Sequence, residues 1–425
     1  TNRMSMDGAM LSLDDVRGPV LLDGNTIIDS PQIGIWVSGA TGLVIRNNTI
    51  QSNTIITDGY GILLLGVHQF EVSGNTITAG IGKSSRGIDL DGFEGIDDTT
   101  SDHGEIFGNY VDVRERPNRE YGQDISVTAL RLRSSRIAST HSNIHIHDNT
   151  FIARTGEGET FGAFGIRISY RLDHVADDLN NVVENNLIKS VVETTNTSYF
   201  GAAVSLADVL VNASPLWRNN IFESNDISLQ LGDKDGFDAT SGNFVSNTFR
   251  RSNEGAARPY KSIGSGYWIG QVHNVSIIDS RYENGATPTI AWSGSGIKDL
   301  STGWLLGVTV KDVSGTPLTG ATVQLFDKDG VQVFSGSTDA NGNVLDIQVV
   351  TTIYRQTGTN PATITTDTRA PHTLSISSAD YTIYTQQLTL DRSQSLTVNL
   401  SSGTSTTDTA PPSAVSNLSA SSISQ

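Results

Sequence analysis

The chain has 425 residues, a formal net charge of −17, 42 glycines and no cysteine, and only 17% of its residues are charged. The missing cysteine excludes disulfides, thiolate metal sites, iron–sulfur clusters and cysteine nucleophiles. The acidity excludes general nucleic-acid binding, which needs a basic surface, and with no run of 18 apolar residues there is no membrane-spanning helix. Thr1 is neither an initiator Met nor the start of a signal peptide, which reads as a processed or trimmed chain. Abundant Gly, Ser, Thr and Asn predict turns and short strands rather than helices.

From the N-terminus, one pattern recurs: a turn-forming residue, then Asn, then one residue, then an apolar one. It appears at Gly24-Asn25-Thr26-Ile27, Asn47-Asn48-Thr49-Ile50, Gly74-Asn75-Thr76-Ile77 and Gly108-Asn109-Tyr110-Val111. Four more copies follow, at Asp148-Asn149, Asn185-Asn186, Asn219-Asn220 and Ser246-Asn247, and Ser280-Arg281-Tyr282 is a degenerate ninth. The Asn positions lie roughly 23 to 40 residues apart, the period of a solenoid with loop insertions. Between copies sits a small residue followed by alternating apolar positions, as in Gly34-Ile35-Trp36-Val37, Gly87-Ile88-Asp89-Leu90 and Gly165-Ile166-Arg167-Ile168. That alternation predicts a strand. A third strand often precedes the Asn, as at Leu43-Val44-Ile45 and Ile144-His145-Ile146.

Three strands in one coil cannot bury their inward side chains alone. Stacked about 4.8 Å apart, coils pair every strand with the coil above and below, and inward Ile, Leu and Val fill the bore. Asn suits the corner because it tolerates left-handed backbone angles and bonds to nearby backbone, and aligned Asn residues can form side-chain ladders. On these repeats, residues 1–302 resemble the right-handed parallel β-helix of the pectin-lyase-like superfamily. The resemblance implies an all-β solenoid. It leaves function open, because that superfamily includes polysaccharide lyases, glycoside hydrolases, epimerases, phage tailspikes, adhesins and copper-pathway periplasmic proteins.

The rhythm changes at Gly303. Pro317-Leu318-Thr319-Gly320-Ala321-Thr322-Val323 and the turn Thr338-Asp339-Ala340-Asn341-Gly342 resemble a carboxypeptidase-regulatory-like, transthyretin-type β-sandwich over residues 303–401. Such modules are spacers or props. Residues 402–425 hold a Ser/Thr-rich linker. There Ala410-Pro411-Pro412-Ser413-Ala414-Val415-Ser416 resembles the opening of a fibronectin type III domain. Both ends read as cut from a longer, modular extracellular protein.

Chemistry is expected on the outward side of the Gly-Ile-x-Val strand column. Its outward positions include Trp36, Leu63, Asp89 and Asp91, Arg131 and Arg133, Arg167, Ser205, Gln230 and Trp268. Asp89 and Asp91 are two residues apart, about 6.6 Å along a strand. That is near the spacing of an inverting glycosidase, where one carboxylic acid protonates the leaving oxygen and the other activates water. With Glu94, Asp97 or Asp98 they could instead hold Ca²⁺, the one cofactor the sequence suggests. Equally, Asp89–Arg131 and Asp91–Arg133 can be cross-strand ion pairs.

Arg131, Arg133, Arg167 and Arg171, with Tyr170 and His174, form a basic strip suited to carboxylate or sulfate groups. In a lyase reading, Arg neutralises a uronate and Tyr170, His174 or an Arg removes the C5 proton. The loop Arg114–Tyr121 would wall the groove, or is simply a solvated loop of alternating charge. Trp36, Tyr267 and Trp268 could stack on sugar rings. His145 and His147 have a metal-compatible spacing but no evident third ligand. No nucleophile elbow, phosphate loop or zinc signature is present, nor the expected polygalacturonase or pectate lyase motifs. Two functions therefore stand. One is a secreted or cell-surface protein of prokaryotic type that binds, and as a lyase or hydrolase cleaves, an anionic polysaccharide. The other is a non-enzymatic adhesin, sheath or filament subunit that self-assembles or attaches to the cell surface.

Overall fold

A computed structural model of the chain describes residues 9–403 apart from 17, 31, 52–55, 79–81, 93–99, 115–125, 135–140, 156–161, 171–178, 198–199, 208–213, 233–238, 266–270, 295 and 357–363. Among these every regular element is a strand, so no helix is long and apolar enough to cross a membrane. The chain divides into two compact units. The first comprises 1–305 with 348–369, and the second 306–347 with 370–425.

The first unit is a right-handed parallel β-helix. Each coil contributes one strand to each of three parallel sheets. Ala9–Asp14 to Ile290–Trp292 make a ten-stranded sheet, and Thr26–Ile28 to Arg281–Glu283 a nine-stranded one. A second long sheet starts at Val20–Asp23. Register is kept from coil to coil, so like side chains stack. On the ten-stranded sheet one inward column runs Ile35, Ile62, Ile88, Leu130, Ile166, Val204, Leu229 and Ile263. These residues are at most 1% exposed. The nine-stranded sheet supplies Ile27, Ile50, Ile77, Val111, Phe151, Ile188, Phe222, Phe249 and Tyr282. The bore thus changes from aliphatic to aromatic along its length. Near its end Phe222 meets Trp217, Phe244 and Phe249 edge-to-face at 5.5–6.1 Å, a favoured ring geometry.

The small residue opening each strand of the ten-stranded sheet has a steric cause. A Cβ on Gly87 would lie 2.1 Å from Val111 Cγ1 and 2.5 Å from the Ala129 carbonyl oxygen. Any side chain on Gly87 would press on the neighbouring sheet and on the backbone of the next coil.

The repeated Asn residues form one continuous ladder, from Asn25 through Asn48, Asn75, Asn109, Asn149, Asn186 and Asn220 to Asn247. Each Nδ2 donates to the next Oδ1 at 2.8–3.0 Å. Each backbone N–H donates to that same oxygen at 2.9–3.0 Å. From Asn48 on, the ladder is at most 2% exposed. The left-handed angle expected of these Asn residues belongs instead to the residue before. Gly24, Asn47, Gly74, Gly108, Asp148, Asn185, Asn219 and Ser246 have φ of 55° to 68°. The corner thus divides its work: one residue turns the chain and the next satisfies the polar groups that the turn exposes.

In the second unit, Gln332–Ser337, Thr322–Phe326, His372–Ser377 and Tyr384–Leu388 form a four-stranded antiparallel sheet. Leu306–Asp312 pairs in parallel with Gln394–Leu400. Val308, Val323, Leu325, Leu374 and Ile376 are fully buried. The Thr338 hydroxyl donates to the Leu318 carbonyl at 2.5 Å and accepts from the Ala321 N–H at 2.9 Å. These bonds tie the Pro-Leu-x-Gly-Ala segment to the Thr-Asp turn. The linker and fibronectin-like start lie outside the described residues from 404 onward.

Candidate functional site

The charged centre of the ten-stranded sheet is carried by Gly82–Gly92, Ser126–Ser134 and Gly162–Tyr170. Asp89 stands opposite Arg131, which stands opposite Arg167, and Asp91 opposite Arg133. Arg131 grips Asp89 with two bonds, Nε to Oδ1 at 2.9 Å and Nη2 to Oδ2 at 2.8 Å. The same Nη2 donates to Asp91 Oδ2 at 2.6 Å. Arg133 stands 4.0 Å from Asp91 and is 45% exposed. Asp89, Asp91 and Arg131 are all buried.

Arg86 completes the cluster. Its Nη1 lies 3.6 Å from Asp89 and donates to the Tyr60 hydroxyl, and its guanidinium lies 4.9 Å over the Tyr60 ring. Strict alternation from Ile88 would turn Arg86 inward. Its contacts with Asp89 and Tyr60 place it on the outward side instead, so a period-two reading misses it; the residue before each small position is the signal that would have found it. Ile33, Tyr60, Thr128 and Phe164 share that register column.

Electrostatics follow burial. Burial and the neighbouring Asp89 raise the Asp91 carboxyl above its ordinary value, against the pull of Arg131. Burial would lower Arg131, but the two carboxylates outweigh it and hold the guanidinium charged. Burial, and then Arg131, lower Arg86. Beneath the cluster, buried His141 accepts from the Ser101 N–H at 3.3 Å through Nδ1, and its Nε2 lies 3.1 Å from the Arg133 carbonyl oxygen. Desolvation lowers it to about 4, so it is a neutral structural group.

Several expectations are corrected. A guanidinium, not a water, fills the space between Asp89 and Asp91, because both press an oxygen on one nitrogen of Arg131. Trp36 is no exposed platform. It is 4% exposed in an apolar cluster with Ile33, Leu63 and Leu65, since large side chains at those outward positions shelter one another. Gln230 is also buried, and its Nε2 donates to the Gly232 carbonyl at 2.9 Å. Arg167 is half-buried, 5.1 Å from the Phe164 ring centre. Tyr170 ends its strand, and its side chain lies outside the described residues. So do Arg171, His174, Tyr267, Trp268, Glu94, Asp97, Asp98 and all of the Arg114–Tyr121 loop but Arg114, which pairs with Glu193.

The outer face of the second long sheet carries His145 and His147, with ring centres 4.2 Å apart. His145 Nε2 bonds to Glu184 and His147 Nδ1 to Asp148, each at 2.8 Å. Arg218 holds Glu184 from its other side at 2.5–2.8 Å. Burial raises the Glu184 carboxyl, but the Arg218 and His145 bonds outweigh it and leave it lowered.

The family described as periplasmic copper-binding protein (NosD) matches residues 1–155. No curated protein matches the chain. Among solved structures, it is similar to PfbA, a surface adhesin of Streptococcus pneumoniae, at 14% identity and a TM-score of 0.31, with 76% of each chain covered. It is also similar to a double mutant of the tailspike protein of E. coli bacteriophage HK620. There identity is 9% and the TM-score 0.22, over 82% of this chain and 84% of that one.

Copper takes thiolate, thioether and imidazole ligands. The chain has no cysteine, and its three methionines are Met4, Met6 and Met10, of which Met10 alone is described. Among the described residues no three His, Cys, Asp or Glu gather to hold an ion. No thioether site for Cu(I) is assembled among the described residues, and the imidazoles of His145 and His147 are each bonded to a carboxylate, Glu184 and Asp148.

Proposed function

We propose that this chain belongs to a secreted or cell-surface protein of prokaryotic type, whose β-helix binds an anionic polysaccharide along the ten-stranded sheet. One observation carries the reading. The outward columns at the sheet centre hold Arg86, Arg131, Arg133 and Arg167 against Asp89 and Asp91, in a protein of net charge −17. Arg131 satisfies both aspartates, so Arg133 is left exposed, 4.0 Å from an Asp91 carboxylate that is already bonded. A planar guanidinium so placed suits a uronate or sulfate group. The periplasmic description of the matching family supports a place outside the cytoplasm. Residues 303–401 act as a spacer in this reading.

In this reading Asp89 and Asp91 do not act as a hydrolytic acid and base. General acid–base chemistry needs a carboxylate able to reach substrate, and Asp89 and Asp91 are both buried against Arg131. An adhesion or sheath role follows from the same geometry without catalysis. The test is calorimetric titration with uronate-containing and sulfated polysaccharides, reading absorbance near 235 nm and reducing ends in parallel. Binding without product is expected, with Arg133→Ala and Arg167→Ala each weakening it tenfold or more, as a charge-assisted contact is worth about 1.5–3 kcal/mol. Equal affinity of wild type and both variants would refute the site, and product formation would restore the enzyme reading.

A further inference from the structure

We propose that Asn284 is a self-modification site, whose side-chain amide converts without an enzyme to aspartate and isoaspartate through a ring closed on Gly285. The chain holds two Asn-Gly pairs, Asn284-Gly285 and Asn341-Gly342. Glycine matters because it has no side chain to block the approach of its backbone nitrogen to the asparagine carbonyl. The fold treats the two pairs differently.

Asn284-Gly285 follows Arg281–Glu283, the last strand of the nine-stranded sheet. The Ala286 N–H donates to the Glu283 carbonyl at 3.0 Å and closes a β-turn. Both central residues have positive φ, 55° at Asn284 and 81° at Gly285, the mirror-image turn that Asn-Gly favours. In such a turn the fourth residue donates and the third does not. Accordingly, no group among the described residues accepts from the Gly285 N–H. Asn284 is exposed, and its amide makes no hydrogen bond there either. A Cβ built on Gly285 would meet nothing within 4 Å, so the space around the reacting atoms is open.

Asn341-Gly342 is held by its backbone. The Gly342 N–H donates to the Asp339 carbonyl at 3.0 Å, and the Gly342 carbonyl accepts from the Val310 N–H at 2.7 Å. The Asn341 N–H donates to Asp339 Oδ1 at 2.9 Å. A Cβ on Gly342 would lie 2.4 Å from the Val310 carbonyl oxygen. Attack by the Gly342 nitrogen requires these contacts to open first.

The step is balanced by solvent alone. Base takes the Gly285 amide proton, the nitrogen bonds to Asn284 Cγ, and ammonia leaves with the side-chain nitrogen. The product is a five-membered succinimide. Water adds to one of its two carbonyls, and the ring opens to aspartate or to isoaspartate, whose main chain runs through the former side chain. Amide and water have become carboxylate and ammonium. The new carboxylate lies beside Glu283, which pairs with Arg250 at 2.8 Å.

The experiment ages the full chain at neutral and mildly alkaline pH and follows both pairs by peptide mass spectrometry and isoaspartate-specific methylation. Conversion at Asn284 is expected ~tenfold or more faster than at Asn341, where two backbone bonds of about 0.5–1.5 kcal/mol each must open. In guanidinium, with unfolding checked by circular dichroism, the two rates should converge. Asn284→Ser should abolish conversion at that turn and leave Asn341 unchanged. Equal rates in the folded chain, faster conversion at Asn341, or a ratio that survives unfolding would each overturn the proposal.

Discussion

The ten-stranded and nine-stranded sheets both carry charge on their outer faces, and they handle it in opposite ways. On the first, Asp89, Asp91 and Arg131 are buried, and one guanidinium serves two carboxylates. On the second, a longer chain of alternating sign runs across the face, partly buried around Lys189 and Glu223 and open to solvent at Glu254 and Glu283. It goes from Asp112 to Arg154, Glu254, Lys189, Glu223, Arg250 and Glu283, over links of 2.5–3.5 Å. Cross-coil register makes both. Water separates them: a buried pair cannot lose one partner cheaply, whereas an exposed pair can be re-solvated.

Breaking the buried cluster should therefore cost most. Arg131→Met removes every hydrogen bond from Arg131 to the two carboxylates and leaves them only the longer contacts to Arg86 at 3.6 Å and Arg133 at 4.0 Å. Loss of ~3–5 kcal/mol is expected from denaturant unfolding. The triple variant with Asp89→Asn and Asp91→Asn should recover most of that loss. A single-variant loss under about 1 kcal/mol would mean that water reaches the cluster.

The next effect is pH-dependent. His141 titrates at about 4 when folded, against 6.5 ordinarily. Between these values the unfolded chain binds a proton that the folded chain does not, so stability rises with pH. The contribution is complete above 6.5 and lost as pH falls to 4, ~3 kcal/mol at most. Asp91 has the opposite sign. Its folded carboxyl is raised above 3.8, so it favours the fold below that value and the benefit fades as pH rises through the folded one. Urea midpoints from pH 7 to pH 5 should fall in wild type and flatten in His141→Gln. An unchanged slope in that variant would assign the dependence elsewhere.

Asn149→Ala breaks the ladder at its middle. It removes the acceptor of the Asn109 backbone N–H and Nδ2 at a buried position. An expected ~2–3 kcal/mol follows from leaving buried donors unsatisfied. Asn25→Ala, at the half-exposed end where no earlier Asn donates to it, should cost well under half as much.

How much of this the sequence carries depends on what each residue answers to. The ladder is legible because each Asn must meet its copy one coil away, so coil geometry writes a period into the chain. The bore is legible for the same reason, through Ile35, Ile62 and Ile88. The outer face is not. Alternation states only that Trp36, Asp89 and Gln230 point away from the bore, and pointing away is not exposure. What covers an outward residue comes from neighbouring coils, so Trp36 is sheltered by Leu63 and Asp89 by Arg131. Arg86 escapes because the period breaks beside Gly87 and leaves Arg86 on the same side as Asp89. The His145–His147 pair is visible as a spacing. Its carboxylate partner Glu184 lies 39 residues on and only coil stacking brings it near.

The smallest expected effect tests the exposed lattice. Glu254 receives Lys189 Nζ at 2.5 Å and Arg154 Nη1 at 2.7 Å, and these bonds lower its carboxyl to about 2. Its contribution is therefore complete above its ordinary 4.5 and lost as pH falls toward 2. Half of the side chain is exposed, so solvent screening leaves well under the full linkage value, ~1 kcal/mol or less. Glu254→Gln should lower stability by that amount in dilute buffer. The difference should shrink in 1 M salt, where the screening length falls to about 3 Å. Arg131→Met should keep its full cost in the same salt, because ions do not enter a buried cluster. If both variants lose their effect together, the two faces are equally wet and the contrast between them fails.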